Sequence, residues 1–149
     1  WVVSWNMWMA APWRMHFPDA AILTIDEQGQ EVEQTMDDCI FCKIIAGDIP
    51  ADIVYQDDTV LAFRDLNPQA PTHALVIPRR HISTLNDLAD DDAQLIGRMH
   101  LAARVVAQQD GIAEAGYRTV FNCNEGAGQT VFHIHLHLLG GRRMTWPPG

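Results

Sequence analysis

Three histidines at alternate positions, His133, His135 and His137, lie in the run Gln129-Thr-Val-Phe-His-Ile-His-Leu-His137. Imidazole titrates near neutral pH and can ligate a metal, carry a proton or attack an electrophile, so a row of three concentrates chemistry. In an extended strand, alternate side chains share a face. The three rings would then occupy one surface, with Phe132, Ile134, Leu136 and Leu138 on the other. Without chemistry, the same spacing is a half-exposed strand with a polar wet face. A second grouping is Cys39-Ile-Phe-Cys42. Two thiols at that spacing suit zinc or a redox dithiol, and two ordinary buried cysteines on a helix would look the same. A thioredoxin-like dithiol follows a strand, and none is readable before Cys39. Of the functional readings zinc is therefore preferred, with His81 and His133 as candidates for the remaining ligands. Cys123 has no local partner and reads as a packed core residue. Cysteine usage of this kind indicates a reducing, cytoplasmic compartment rather than a disulfide scaffold.

These residues need elements to position them. Asp37 or Asp38 can cap a short helix through Ile45, with Gly47 at its end. Ile53 to Tyr55 and Thr59 to Arg64 read as strands across an Asp57-Asp58 turn, and Thr72 to Ile77 as a third before Pro78. Leu95, Ile96, Met99, Ala103 and Val106 form an apolar stripe at helical spacing between Asp90-Asp91-Asp92 and Gly111, predicting a long helix. His100 on that helix reads as a surface residue. Tyr117 to Cys123 and Val131 to Leu139 are two more strands around the Gly126-Ala-Gly128 loop. The order predicts an α+β domain over residues 37–149, with a mainly antiparallel five-stranded sheet, a short N-terminal helix and a long central one.

Residues 1–36 differ. Trp1, Trp5, Trp8 and Trp13 follow no helical or strand period and precede the acidic stretch Asp26 to Glu33. No organised element is readable there, and the segment is expected to be a disordered or non-native extension, or else a partner-binding tail. The only basic residue, Arg14, follows the apolar part, unlike a signal peptide. Ser4, Asn6, Arg14 and His16 interrupt any membrane span, so no membrane partner is expected. The net charge of −9 repels a phosphate backbone. Arg79-Arg80 and Arg142-Arg143 are only pairs, so nucleic acid is not an expected partner. A compact phosphate-bearing metabolite remains compatible.

From Asp38 to the end the chain resembles the histidine triad family, in its nucleotide-binding branch with phosphoramidase activity. The resemblance is carried by Cys39-Ile-Phe-Cys-Lys-Ile-Ile45, by Asn67-Pro-Gln-Ala-Pro-Thr-His-Ala-Leu-Val-Ile-Pro78, by the triad run and by Met144-Thr-Trp-Pro-Pro-Gly149. It implies that His135 attacks the α-phosphorus of a nucleoside phosphoramidate or acyl-nucleotide, forming a nucleotidyl-histidine that water then hydrolyses to the nucleoside monophosphate. His137 would contact the phosphoryl oxygens or help protonate the leaving amine, and His73 would support the triad. Thr130 stands where the family usually has a serine near the leaving group. Asn124 and Gln129 would line the phosphate pocket, Asp65 would bond the ribose hydroxyls, and Phe41, Ile44, Phe63 and Leu66 would hold base and sugar. On their own pattern those four apolar residues read as core. A purine preference comes from the resemblance alone. Trp146 would reach across a homodimer into the partner's pocket. Family members with Cys-x-x-Cys can carry a structural zinc, here on Cys39, Cys42, His81 and His133, although members with the Trp-Pro-Pro-Gly tail often lack that pair.

Two other classes compete. A metal-dependent hydrolase would also place His-x-His on a strand, but its carboxylate ligands are not grouped near the triad and its usual barrel needs about 250 residues. A nucleotide-binding regulatory or interaction module, with incidental hydrolysis, would retain the pocket and dispense with turnover.

Overall fold

The computed structural model describes residues 23–25, 31–33 and 38–148. It begins with two short antiparallel strands, β1 (Leu23–Ile25) and β2 (Glu31–Glu33), with Thr24 opposite Val32. The expectation that the first 36 residues hold no organised element is corrected there. Strands of three residues are too short for alternation to stand out in a sequence. The tryptophan-bearing stretch, residues 1–22, lies outside the described residues.

Helix α1 (Ile40–Ala46) ends at Gly47, whose φ of 84° is the left-handed conformation glycine adopts freely. Its N-cap is Cys39, with no side-chain cap bond, in place of the expected Asp37 or Asp38. Strands β3 (Ile53–Gln56), β4 (Val60–Arg64) and β5 (Thr72–Pro78) follow. Helix α2 (Ala93–Gln109) crosses over to β6 (Tyr117–Phe121) and β7 (Leu136–Gly140). The five strands form an antiparallel sheet in the order β3-β4-β5-β7-β6, as expected for this α+β arrangement.

Alternation along β4 and β5 separates two apolar layers. Val60, Ala62, Ala74 and Val76 face α2, where Met99, Ala102, Ala103 and Val106 close the larger core with Ile134, Leu136 and Leu138. Leu61, Phe63, Leu75 and Ile77 face the other way and pack with Phe41 and Ile44 of α1. Every residue of the central β5 is buried. A clip ties the sheet to the end of α2: Arg64 donates to both carboxylate oxygens of Asp110 at 2.5 and 2.7 Å, and Thr72 Oγ1 donates to Asp110 Oδ2 at 3.0 Å. Among the described residues, no helix is long and apolar enough to cross a membrane.

The last strand departs from the sequence reading. It starts at Leu136 instead of Val131, so His133 and His135 precede the sheet. The reason lies in the backbone: His133 N–H donates to Val131 O at 2.9 Å and Ile134 N–H to Ile82 O at 2.7 Å, and neither bond belongs to the ladder. The alternation of faces survives nevertheless, because Ile134 joins the α2 core while the histidines turn toward α1. Strand β6 stops before Cys123, which is half-buried and not a packed core residue.

Candidate active site and cysteine–histidine cluster

The register places His73 opposite Leu139 and His137 opposite Leu75, which makes the two histidines diagonal neighbours on the α1 face of β5 and β7. Their hydrogen bonds run in a fixed order. The peptide N–H of Gln69 donates to His73 Nδ1 at 3.0 Å. A peptide nitrogen can only donate, so the neutral His73 ring carries its proton on Nε2. That proton faces His137 Nδ1 at 2.9 Å, with Asp65 Oδ2 also near, 3.3 Å from His73 Nε2. Neutral His137 therefore holds its proton on Nε2, a buried atom with no hydrogen-bond partner among the described residues. An unpaired buried donor is costly and is retained where a ligand satisfies it.

His135 is fixed by a different backbone group. Its Nδ1 lies 2.8 Å from the carbonyl of His133. A carbonyl can only accept, so Nδ1 bears the proton and Nε2 keeps a free lone pair. Phe41 stands edge-on to this ring, with centroids 5.3 Å apart. Burial lowers the pKa of His135, opposed by its bond to the His133 carbonyl and by the charge of Asp65. Burial, then the neighbouring His135 and His73, push His137 down to about 4, with Asp65 pulling the other way. His73 is likewise lowered by burial against the pull of Asp65. The three rings are thus neutral at neutral pH, as an attacking nitrogen and its neighbours must be.

His133 belongs to another group. It is fully buried, and its Nε2 donates to the carbonyl of Pro78 at 2.9 Å, leaving the Nδ1 lone pair turned toward sulfur. Nδ1 lies 3.5 Å from Cys39 Sγ and 3.7 Å from Cys42 Sγ, while His81 Nδ1 lies 3.3 Å from Cys42 Sγ. Two atoms bonded to one tetrahedral zinc at usual lengths sit about 3.5 Å apart for sulfur and nitrogen. All four ligand atoms lie within 4.8 Å of one another. Burial above all, outweighing the Pro78 bond, holds His133 at about 4, and burial lowers His81. Both imidazoles are neutral, as ligands require. Burial, followed by the adjacent Cys39, raises the Cys42 thiol to about 12, so an ion entering here must displace its proton. The donor set and its spacing fit zinc.

Asp65, His73 and His137 form a second group of possible ligands. Two nitrogens on one tetrahedral zinc would be about 3.3 Å apart. The observed 2.9 Å is a hydrogen bond between rings, so this trio is read as a hydrogen-bonded row.

Other predicted site residues divide. Phe41, Ile44 and Phe63 are buried together, Phe41 edge-on to Phe63 at 5.6 Å, so their side chains form the floor beneath the histidines. Leu66 instead stands 96% exposed, and its reading as core is corrected. Asp65 accepts from Asn67 N–H at 2.8 Å with one oxygen and faces His73 with the other. The side chain of Gln129 is turned to the main chain. At 2% exposure, it accepts Asn124 N–H at 2.8 Å and donates to Ser83 O and Val131 O at 2.7 and 3.1 Å. It forms a bracket behind the loop that carries Asn124. Thr130 and Asn124 are exposed. Asn124 has φ 64° and ψ 171°, a conformation that is essentially glycine's. Trp146 is 84% exposed, near the point where Arg118 Nη2 donates to Thr145 O at 2.7 Å. His100 is on the surface, as expected.

Sequence reasoning missed the groups that orient these rings: the N–H of Gln69 and the carbonyls of Pro78 and His133. Backbone atoms leave no residue-type signal. Ser83, whose Oγ lies 3.3 Å from His81 Nε2, could have been suspected from its place two residues after a ligand candidate.

Residues 38–145 match the family described as scavenger mRNA decapping enzyme, C-terminal binding. A purine nucleoside phosphoramidase of Escherichia coli K12 is 57% identical over 106 residues, covering 71% of this chain and 89% of the relative. An uncharacterized HIT-like protein of Synechococcus elongatus is 53% identical over 113 residues, 76% of this chain and 98% of the relative. Among solved structures, a HIT family hydrolase from Legionella pneumophila aligns with a TM-score of 0.73 at 59% identity, over 74% of this chain and 99% of its own.

Proposed function

The chain belongs to the histidine triad family, and from that premise we propose that it is a hydrolase of nucleoside 5′-phosphoramidates or acyl-nucleotides, acting through a nucleotidyl-histidine on His135. The observation that carries the reading is the bond from His135 Nδ1 to the His133 carbonyl, which leaves Nε2 unprotonated. The Nε2 lone pair forms a bond to the α-phosphorus as the bond from phosphorus to the leaving group breaks, and the departing nitrogen leaves as an amine after taking up a proton. Water then attacks phosphorus, the N–P bond breaks, and the nucleoside monophosphate is released with His135 regenerated. In this reading the Nε2–H of His137, without a partner among the described residues, donates to a phosphoryl oxygen, where a positioned donor stabilises developing charge. Thr130, Asn124 and the exposed Leu66 belong to the open side of the site, where leaving group and nucleoside enter. Asp65 serves the ribose and polarises the row of rings, which burial keeps neutral against its pull. The purine preference follows the phosphoramidase relative.

Zinc is assigned to Cys39, Cys42, His81 and His133. Bound there it supplies a cross-link between the start of α1 and the triad segment, because four protein ligands leave no open position for a substrate. A second copy of the chain is proposed as partner: β6 is an edge strand, and an edge unpaired among the described residues, with Tyr117 on it and Trp146 exposed, suits pairing with itself.

The test is to quench a reaction with adenosine 5′-phosphoramidate and map the adduct by mass spectrometry. A nucleotide mass on His135 is expected, and on no residue of the His135→Asn variant, which should still bind AMP. Undiminished turnover by that variant would sink the assignment.

A further inference from the structure

One residue belongs to both groups described above. His133 sends its ring into the sulfur cluster and its carbonyl to His135 Nδ1. No ladder bond holds that carbonyl, because the sheet begins only at Leu136. Its orientation rests on the short bonds of residues 131–134 and on the two anchors of the His133 ring, Pro78 O at Nε2 and the thiol pair at Nδ1. Thiols are weak hydrogen-bond partners, and at 3.5 and 3.7 Å they constrain a ring far less than ligation would. A second thread leaves the same cluster. His81 Nε2 meets Ser83 Oγ at 3.3 Å, the carbonyl of Ser83 takes Gln129 Nε2, and Gln129 Oε1 takes the N–H of Asn124 at the edge of the site.

We propose that Cys39, Cys42 and His81 are positioning residues for His135. An ion held by them and by His133 locks the His133 peptide, and the locked carbonyl keeps the proton of His135 on Nδ1. A histidine released from such a bond favours the other tautomer, with its proton on Nε2 and the attacking lone pair lost. The cluster thus determines how much of the protein carries a usable nucleophile, beyond stapling α1 to the triad. The inference rests on His135 being the nucleophile, but its structural half stands apart from any activity.

The experiment compares zinc-loaded wild type, wild type stripped by a chelator, and Cys42→Ser, each checked by circular dichroism. Zinc content is measured directly, and the ring nitrogens of His135 are read by ¹⁵N NMR after histidine labelling. Loaded wild type should show one His135 tautomer, protonated on Nδ1. The stripped protein and Cys42→Ser should show a mixture, with kcat about tenfold lower and the dissociation constant for AMP within about threefold, the range expected when a group that orients a reacting residue is lost. Cadmium, which also takes tetrahedral thiolate sites, should restore both the single tautomer and kcat to the stripped wild type, so the result does not depend on the variant folding. A single Nδ1–H tautomer with unchanged kcat in metal-free protein overturns the proposal, as does a wild type that binds no ion and shows that same single tautomer. Zinc-loaded protein that hydrolyses no phosphoramidate would instead overturn the proposed function, while the tautomer measurement still decides the positioning role.

Discussion

Replacing Asp110 by asparagine tests the clip that joins the sheet to the end of α2. Asp110 caps that helix at its C-terminal end, where the helix dipole opposes a negative charge by about 0.3–1 kcal/mol. It is tolerated because Arg64 grips both carboxylate oxygens and Thr72 bonds one of them. The variant keeps one acceptor but turns an amide NH2 toward the guanidinium, so one charge-assisted bond is lost and the other, from a still-charged donor to a neutral oxygen, is weakened. At about 1.5–3 kcal/mol for a bond to a charged group, the loss of one such bond and the weakening of the other come to about 3 kcal/mol. Arg64, with a side chain 34% exposed, can turn to water, and relief of the dipole offsets part of the rest. The expected net cost is about 2 kcal/mol. For a domain of this size that lowers the urea midpoint by about 1–1.5 M. The bonds to Arg64, and less strongly that to Thr72, hold the carboxyl of Asp110 below its ordinary pKa. A depressed carboxylate contributes stability that is full above its unfolded value of about 3.9 and is lost as pH falls through the lower folded value. The gap between wild type and variant should therefore be constant from neutral pH down to about 5 and shrink near pH 3. Urea titrations at pH 7 and pH 3 measure it. A gap below about 0.5 kcal/mol at pH 7, or one that does not shrink in acid, would refute the reasoning.

The bracket formed by Gln129 gives a second expectation: Gln129→Leu strands Asn124 N–H, Ser83 O and Val131 O, and should cost about 2–4 kcal/mol in urea unfolding, with a cost below about 1 showing that the loop rehydrates freely. Asn124→Gly removes a conformation costing about 1–3 kcal/mol and adds glycine's entropy penalty of about 0.5–1, so thermal unfolding should move up by a few degrees; a fall would place a stabilising contact on the asparagine side chain. Trp146→Ala should weaken the proposed dimer about tenfold or more in analytical ultracentrifugation, and a monomeric wild type would remove the partner altogether.

Much of this was legible in residue types. Alternating apolar residues located β4, β5 and the stripe of α2, and the Cys-x-x-Cys spacing pointed to the cluster that the fold assembles with His81 and His133. What escaped was set by backbone partners distant in sequence. The pattern of residues 131–135 is that of a strand, but the N–H of Ile134 finds Ile82, and no local preference records that choice. Gln129 entered the expected pocket through the resemblance, and its bonds to the main chain, made across 46 residues to Ser83, were not readable from the sequence. Leu66 looked like core because most leucines are, and a turn beside the site left it in water.

The peptide N–H of Gln69, at the far end of the histidine row, gives that row a direction. A peptide donor has no second tautomer, so His73 can accept there and can never pass a proton outward. Each ring then holds one proton, and both point the same way, from His73 toward His137 and, in the proposed reaction, on to the phosphate. Were His137 to surrender its Nε2 proton, the deficit could move back only as far as His73, leaving an imidazolate. The resting row is therefore a dead-ended wire: in the proposed reaction it offers a hydrogen bond to a phosphoryl oxygen, and a leaving amine draws its proton from the solvent side of the site, where Thr130 stands exposed.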